Sequence, residues 1–260
     1  MKHKHALAVA GLVALPLSAC GDDGAVAGAE SGTTTRTVLT VLAAASLTEP
    51  FEVLAEDFEA QHDGVRVELA FDSSATLAQQ AVDGAPGDVL ATADEATMRS
   101  AVDGGAVVQG PEVFASNVAV LVTPAGNPAG VTGFADLDDE AVTYVVCVDS
   151  APCGKLAAGL LGDAGITHEP ASLEVDVKAV LAKVTTDEAD AGVVYASDAV
   201  AAGDAVRAFD IEGASKRRNV YPIGTLEQSD EADLAAAFVD LVLSADGQEI
   251  LADAGFGPSG

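Results

Sequence analysis

Ser46 ends the segment Thr37-Val-Leu-Thr-Val-Leu-Ala-Ala-Ala-Ser46, where a β-branched run gives way to the helical spacing of Leu47, Phe51, Leu54 and Phe58. A hydroxyl at such a strand-to-helix corner is expected to cap the helix, and the corner can hold an anion. The arrangement returns downstream. Val65 to Phe71 alternates as a strand, runs through Asp72 into Ser73-Ser74, and leads to a helical stretch from Thr76 to Val82. A third junction, Val145-Val-Cys-Val-Asp-Ser-Ala-Pro-Cys153-Gly-Lys155, opens a helix with backbone N–H groups near Cys153 and Gly154. It fails as a phosphate-binding P-loop, because Asp149 stands at the first glycine position and Leu156 follows Lys155 where Ser or Thr belongs. A fourth start lies near Val175-Asp-Val-Lys178, and Tyr195 ends the buried strand Ala191-Gly-Val-Val-Tyr195 with a phenol able to donate one more hydrogen bond. Singly, each of these is what an ordinary capped helix or core tyrosine looks like. Together, helix starts aimed at one point supply unpaired N–H groups and partial positive charge, enough to hold an oxyanion without lysine or arginine.

The elements that would position these residues alternate. Strands are expected at Val38 to Leu42, Val65 to Phe71, Asp88 to Thr92, Val118 to Thr123, Thr143 to Val148 and Ala191 to Tyr195. Helices are expected at Leu47 to Ala60, Thr76 to Asp83, Glu95 to Val102, Gly154 to Leu161, Val175 to Val184, Ala196 to Ala202 and Asp233 to Ala254. Strands that alternate with helices imply α/β layers around a mainly parallel sheet.

With 260 residues and 49% hydrophobic content, the chain can bury a large core in one domain or two small ones. Its net charge of -29 repels nucleic acid, and the basic triplet Lys216-Arg217-Arg218 reads as a solvated loop. An anionic ligand must therefore be drawn in by local dipoles, which favours a closed site. At the N-terminus, Lys2 and Lys4 precede an apolar run from Ala6 to Leu17, short for a membrane span and right for a signal-peptide core. The run ends in Leu17-Ser18-Ala19-Cys20, which resembles the lipobox of bacterial lipoproteins and implies a lipid on Cys20. The small, polar stretch from Gly21 to Arg36 suits a flexible tether. Cys147 and Cys153 remain, an even pair on an exported chain, expected either as a disulfide or as two buried thiols.

Six collinear strings carry a family resemblance: Ala43-Ala-Ala-Ser-Leu-Thr48, Phe71-Asp-Ser-Ser-Ala-Thr-Leu-Ala78, Gly84-Ala-Pro-Gly-Asp-Val-Leu90, Ala151-Pro-Cys-Gly154, Asp176-Val-Lys178 and Gly192-Val-Val-Tyr-Ala-Ser-Asp-Ala199. In this order the chain resembles the molybdate-binding proteins of molybdate ABC importers from Thr37 to Pro258. The resemblance implies an α/β, two-lobed periplasmic-binding-protein fold with a hinge and an interlobe ligand cleft. Residues 1–19 would be signal peptide, 20–36 the lipidated Cys20 and tether, 37–116 plus 222–260 one lobe, and 117–221 the other. The chain would cross between lobes near Phe114 to Val118 and Val220 to Pro222. By the same resemblance the ligand-binding hydroxyls fall on Ser46 and Ser74, the main-chain donors on Cys153 and Val177, and the phenol on Tyr195. Two positions depart from the family pattern: Ala75 where a third serine is common, and Cys153 in place of a small alanine.

A fully ionised tetrahedral dianion offers only acceptors, so its site should offer only donors. None of the five positions is acidic, which favours molybdate, tungstate or sulfate over a protonated phosphate. The resemblance implies a monomeric, non-enzymatic carrier, anchored by lipid at the outer face of the cytoplasmic membrane. It would deliver molybdate or tungstate to a membrane permease, with no cofactor and with molybdenum present only inside the oxyanion. Sulfate or another tetrahedral oxyanion is the alternative ligand. A serine hydrolase built on Ser46 or Ser74 is the rival class. It is disfavoured because only His62 and His168 remain beyond the signal segment to act as base.

Overall fold

The computed structural model describes residues 36–108 and 110–259. The expected signal peptide, Cys20 and the tether up to residue 35 lie outside the described residues. Among the described residues, ten strands sort into two five-stranded sheets. Across the first lie β2 (Val65–Asp72), β1 (Thr37–Ala44), β3 (Val89–Ala91), β10 (Asn219–Thr225) and β4 (Glu112–Asn117), in that order. Across the second lie β7 (Ser172–Glu174), β6 (Tyr144–Cys147), β8 (Ala191–Tyr195), β5 (Ala119–Pro124) and β9 (Val206–Asp210). The helices are α1 (Thr48–Gln61), α2 (Ser74–Val82), α3 (Glu95–Asp103), α4 (Pro152–Ala164), α5 (Val177–Thr185), α6 (Ala196–Ala202), α7 (Ala232–Leu243) and α8 (Ala245–Asp253).

The expectation of a mainly parallel sheet is corrected. β1 and β6 are parallel to both their neighbours, but β10 and β5 run antiparallel to both of theirs. The reason is connectivity. β4 passes straight into β5 through Val118 alone, and no α-helix intervenes between β9 and β10. Strands β4, β7, β9 and β10 escape sequence reasoning because they are short or interrupted. In β10, Pro222 is accommodated where the register with β4 shifts between Tyr221 and Pro222. The return crossing, expected at Val220 to Pro222, lies upstream over 211–218, since Asn219 already pairs with Asn117 in the first sheet.

The closing helix expected over Asp233 to Ala254 is two helices. Ser244 breaks it in extended backbone, and its Oγ accepts from the Gly247 amide at 3.1 Å to start α8. Phe238 of α7 packs edge-on to Phe51 and Phe58 of α1, with ring centroids 5.9 and 5.4 Å apart. The C-terminal segment thus fills the core of the first lobe, while Leu121, Val145, Leu160, Val180 and Val193 build that of the second. The basic triplet, read as solvated, is exposed, and within it Arg217 forms a surface ion pair with Asp163 on α4.

Cys147, the last residue of β6, and Cys153, in the first turn of α4, are joined as a disulfide with Cα atoms 5.7 Å apart. Closing so short a loop restrains the unfolded chain by about 2 kcal/mol on chain-entropy grounds. The double variant Cys147→Ser/Cys153→Ser is therefore expected to unfold at lower denaturant, with stability reduced by about that amount. Identical midpoints for the variant and for unreduced protein would contradict this.

Candidate functional site

All five residues singled out in the sequence line one small cleft between the lobes, partly open to solvent. Ser46 and Ser74 come from the first lobe; Cys153, Val177 and Tyr195 come from the second. The two serines and the tyrosine are each 2% exposed, so water competes little for their hydroxyls.

Neither serine acts as the expected cap. Ser46 lies in a 3-10 turn over Ala45–Leu47 that precedes α1, and neither this turn nor α1 has a side-chain cap. Ser73, not Ser74, occupies the N-cap position of α2, again without a side-chain bond. Both hydroxyls are used across the fold instead. Ser46 Oγ sits 2.9 Å from the Tyr221 hydroxyl on β10, and Ser74 Oγ accepts the Ala93 amide at 2.9 Å. Having accepted there, the Ser74 hydroxyl keeps its own proton for a ligand. The same logic holds for Tyr195, whose phenol oxygen accepts from Asn219 Nδ2 at 2.7 Å. Burial first, then the neighbouring Tyr221 and Asp198, pushes the Tyr195 pKa well above the ordinary phenol value, so it stays a protonated donor.

Cys153 is the second residue of α4, behind Pro152 at N1, and Val177 is the first of α5. First-turn amides have no carbonyl partner within their own helix, which leaves them for a bound group. Gly154, also considered as a donor, is not free: its amide is bonded to the Ala151 carbonyl at 3.1 Å. What makes Gly154 necessary is closeness, because a Cβ there would lie 1.9 Å from the Val148 carbonyl oxygen.

Ala93, Asn219 and Tyr221 were not found by sequence reasoning. The partners lie 19, 24 and 175 residues from the hydroxyls they serve, so no local spacing points to them. Sequence reasoning also missed two carboxylates in the cleft wall, Asp72 and Asp176. Both bond to main-chain amides: Asp72 accepts from Ser73 at 2.6 Å, and Asp176 caps α5 by accepting from Ala179 at 2.8 Å. Lysine and arginine are missing from the described lining. Two cations adjoin lining residues in sequence and are paired with the other lobe, Lys155 with Asp94 at 3.3 Å and Lys178 with Glu49 at 2.7 Å. Lys178 also lies 3.4 Å from Asp198, a wholly buried carboxylate on α6 whose other oxygen accepts from the Tyr195 amide at 3.1 Å.

No histidine is in the described lining, and His62 bonds to the Phe58 carbonyl at 2.9 Å. Among the described residues, no group of three or more His, Cys, Asp and Glu is arranged to hold a metal ion, and no helix is long and apolar enough to cross a membrane.

Comparison with known proteins agrees with this geometry. The bacterial extracellular solute-binding protein family matches residues 39–257. The chain belongs to that family. This solute-binding protein is 39% identical over 251 residues to the molybdate-binding protein ModA of Mycobacterium tuberculosis, covering 96% of this chain and 94% of the relative. It is 31% identical over 229 residues to ModA of Escherichia coli, covering 84% and 88% respectively. Among solved structures, the periplasmic molybdate-binding protein of Azotobacter vinelandii superposes with a TM-score of 0.76 at 22% identity, over 84% of this chain and 98% of that one. The sulfate-binding protein SubI of M. tuberculosis superposes at 0.75 with 19% identity, over 86% and 87%. At those identities the two structures speak for the two-lobed α/β fold alone.

Proposed function

We propose that this solute-binding protein captures molybdate outside the cytoplasm and hands it to the permease of an ABC importer, without catalysing a reaction. The observation that carries the reading is the convergence of three protonated hydroxyls and two first-turn amides from both lobes on one cleft lined by no lysine or arginine. Such a site complements an anion that brings acceptors only. The two carboxylates in its wall are engaged by main-chain amides, so they need not face the guest as free acceptors. The 39% identity to a molybdate-binding protein favours molybdate over sulfate. Tungstate, of the same charge and shape, is expected to bind as well.

Ligand bridging the lobes would favour the closed arrangement through contacts available only when both lobes meet. The ion pairs Lys155 to Asp94 and Lys178 to Glu49 would close with it. The run Leu17-Ser18-Ala19-Cys20 supports attachment of a monomeric carrier to the outer face of the cytoplasmic membrane through a lipid on Cys20.

Titration calorimetry with molybdate, tungstate, sulfate and phosphate tests the assignment. Heat of binding is expected with the first two, and Ser46→Ala or Ser74→Ala should each weaken molybdate binding by about 1.5 to 3 kcal/mol, the size of a hydrogen bond to a charged partner. Undiminished affinity in both variants would remove these serines from the site. No binding of any of the four would remove the function itself.

A further inference from the structure

We propose that Asn219 is a specificity-determining residue that acts through Tyr195 by aiming the phenol proton into the cleft. This rests on the oxyanion-binding reading given above. Asn219 opens β10 in the first lobe and Tyr195 closes β8 in the second, yet Asn219 Nδ2 reaches the phenol oxygen at 2.7 Å. An amide N–H can only donate, so this contact occupies an acceptor site of the phenol oxygen. The phenol is buried beside the Tyr221 hydroxyl, which already engages Ser46 Oγ at 2.9 Å, so the contact with Asn219 turns the phenol proton towards the cleft side.

The consequence is chemical selection. A phenol free to turn could accept as readily as donate, and would then welcome the P–OH of hydrogen phosphate. Held by Asn219, it presents a proton, which suits a dianion with no proton of its own and leaves a P–OH facing another donor. An unpaired donor or acceptor in a buried site is costly, and that cost separates two tetrahedral anions of similar outline. Asn219 need not touch the ligand. It belongs to the strand on which Tyr221 holds Ser46, so one segment of β10 sets two of the three hydroxyls.

A double-mutant cycle on the full chain tests this, with molybdate and inorganic phosphate as probes. Tyr195→Phe is expected to weaken molybdate binding roughly tenfold or more. Asn219→Leu should weaken it about fivefold with Tyr195 present, and narrow the preference for molybdate over phosphate, yet change neither quantity in the Tyr195→Phe background. Asn219→Asp, which can only accept, should weaken molybdate more than Asn219→Leu does, and the part of its effect due to the phenol proton should vanish in the same background. If Asn219→Leu causes equal losses in both backgrounds, or leaves molybdate affinity and selectivity intact when Tyr195 is present, the proposal is wrong. Thermal unfolding of each variant without ligand confirms folding. Failure of the unaltered protein to bind molybdate would instead count against the function, so the two failures are distinct.

Discussion

Gly154→Ala is expected to cost about 3 kcal/mol or more of stability and to abolish oxyanion binding, although it adds one methyl group within a helix. Elsewhere in a helix the same change is favourable, because alanine loses less backbone freedom on folding. Here the added carbon would sit 1.9 Å from the Val148 oxygen and 2.5 Å from its carbonyl carbon. Both are backbone atoms, held by the disulfide from Cys147 to Cys153, so no side-chain rotation relieves the clash. Either β6 and α4 separate or the first turn of α4 unwinds, and the Cys153 amide leaves the cleft in both cases. Gly162→Ala, later in α4 with nothing within 4 Å of its added carbon, is the control and should be neutral or slightly stabilising. Denaturant unfolding and molybdate calorimetry on the two variants settle the matter; similar behaviour of both would show that the close approach is not what position 154 requires.

The second large effect is a pH dependence that belongs to one residue. Burial, partly offset by Lys178, lifts the Asp198 pKa from 3.8 to about 6. Lys178 approaches the Asp198 Oδ1 at 3.4 Å, a long contact that compensates the buried carboxylate only in part. The facing charges are Lys178 and, beyond it, Glu49, which further disfavours ionisation of Asp198. Between pH 4 and 6 the folded state therefore holds this proton more tightly than the unfolded chain does. The associated stability is present at low pH and lost as pH rises through about 6. The difference amounts to about 3 kcal/mol. Asp136, Asp138 and Asp163 are held below the ordinary carboxylate range by hydrogen bonds and pull the opposite way, so the observable is the difference between two proteins. Relative to the unaltered protein, Asp198→Asn should gain stability steadily from pH 4 to 7. Parallel stability curves would show that Asp198 does not titrate in this range.

Much of the binding cleft was legible from local signals. Ser46, Ser74, Cys153 and Tyr195 each stand at or near the point where an apolar strand passes into a helical segment, and Val177 stands at a helix start; these are local signals, whereas the family resemblance gathered the five into one ligand set. The serines were nonetheless assigned the wrong local job. Capping is the usual use of a hydroxyl at a helix start, whereas Ser46 turns to Tyr221 and Ser74 to Ala93. The antiparallel strands β4 and β10 were missed for a related reason: Asn117, Asn219, Pro222 and Gly224 weaken their strand pattern, and their extended form is imposed by pairing with each other and with β3. The break at Ser244 was hidden because apolar spacing continues on both sides of it, and the capping bond to Gly247 leaves no mark in the periodicity.

By itself, then, the order of residues determined the α/β class, the positions of most helices and which side chains and amides stand at the strand ends, since these follow from hydrophobic period and chain punctuation acting over short distances. Only the tertiary structure decided that these ends meet across one cleft, that half the strand pairings are antiparallel, and that Ala93, Asn219 and Tyr221 take up the serine and tyrosine hydroxyls. The physical reason is range: a helix start is written in neighbouring residues, whereas the direction of a hydroxyl proton depends on a partner brought alongside by the folding of the whole chain.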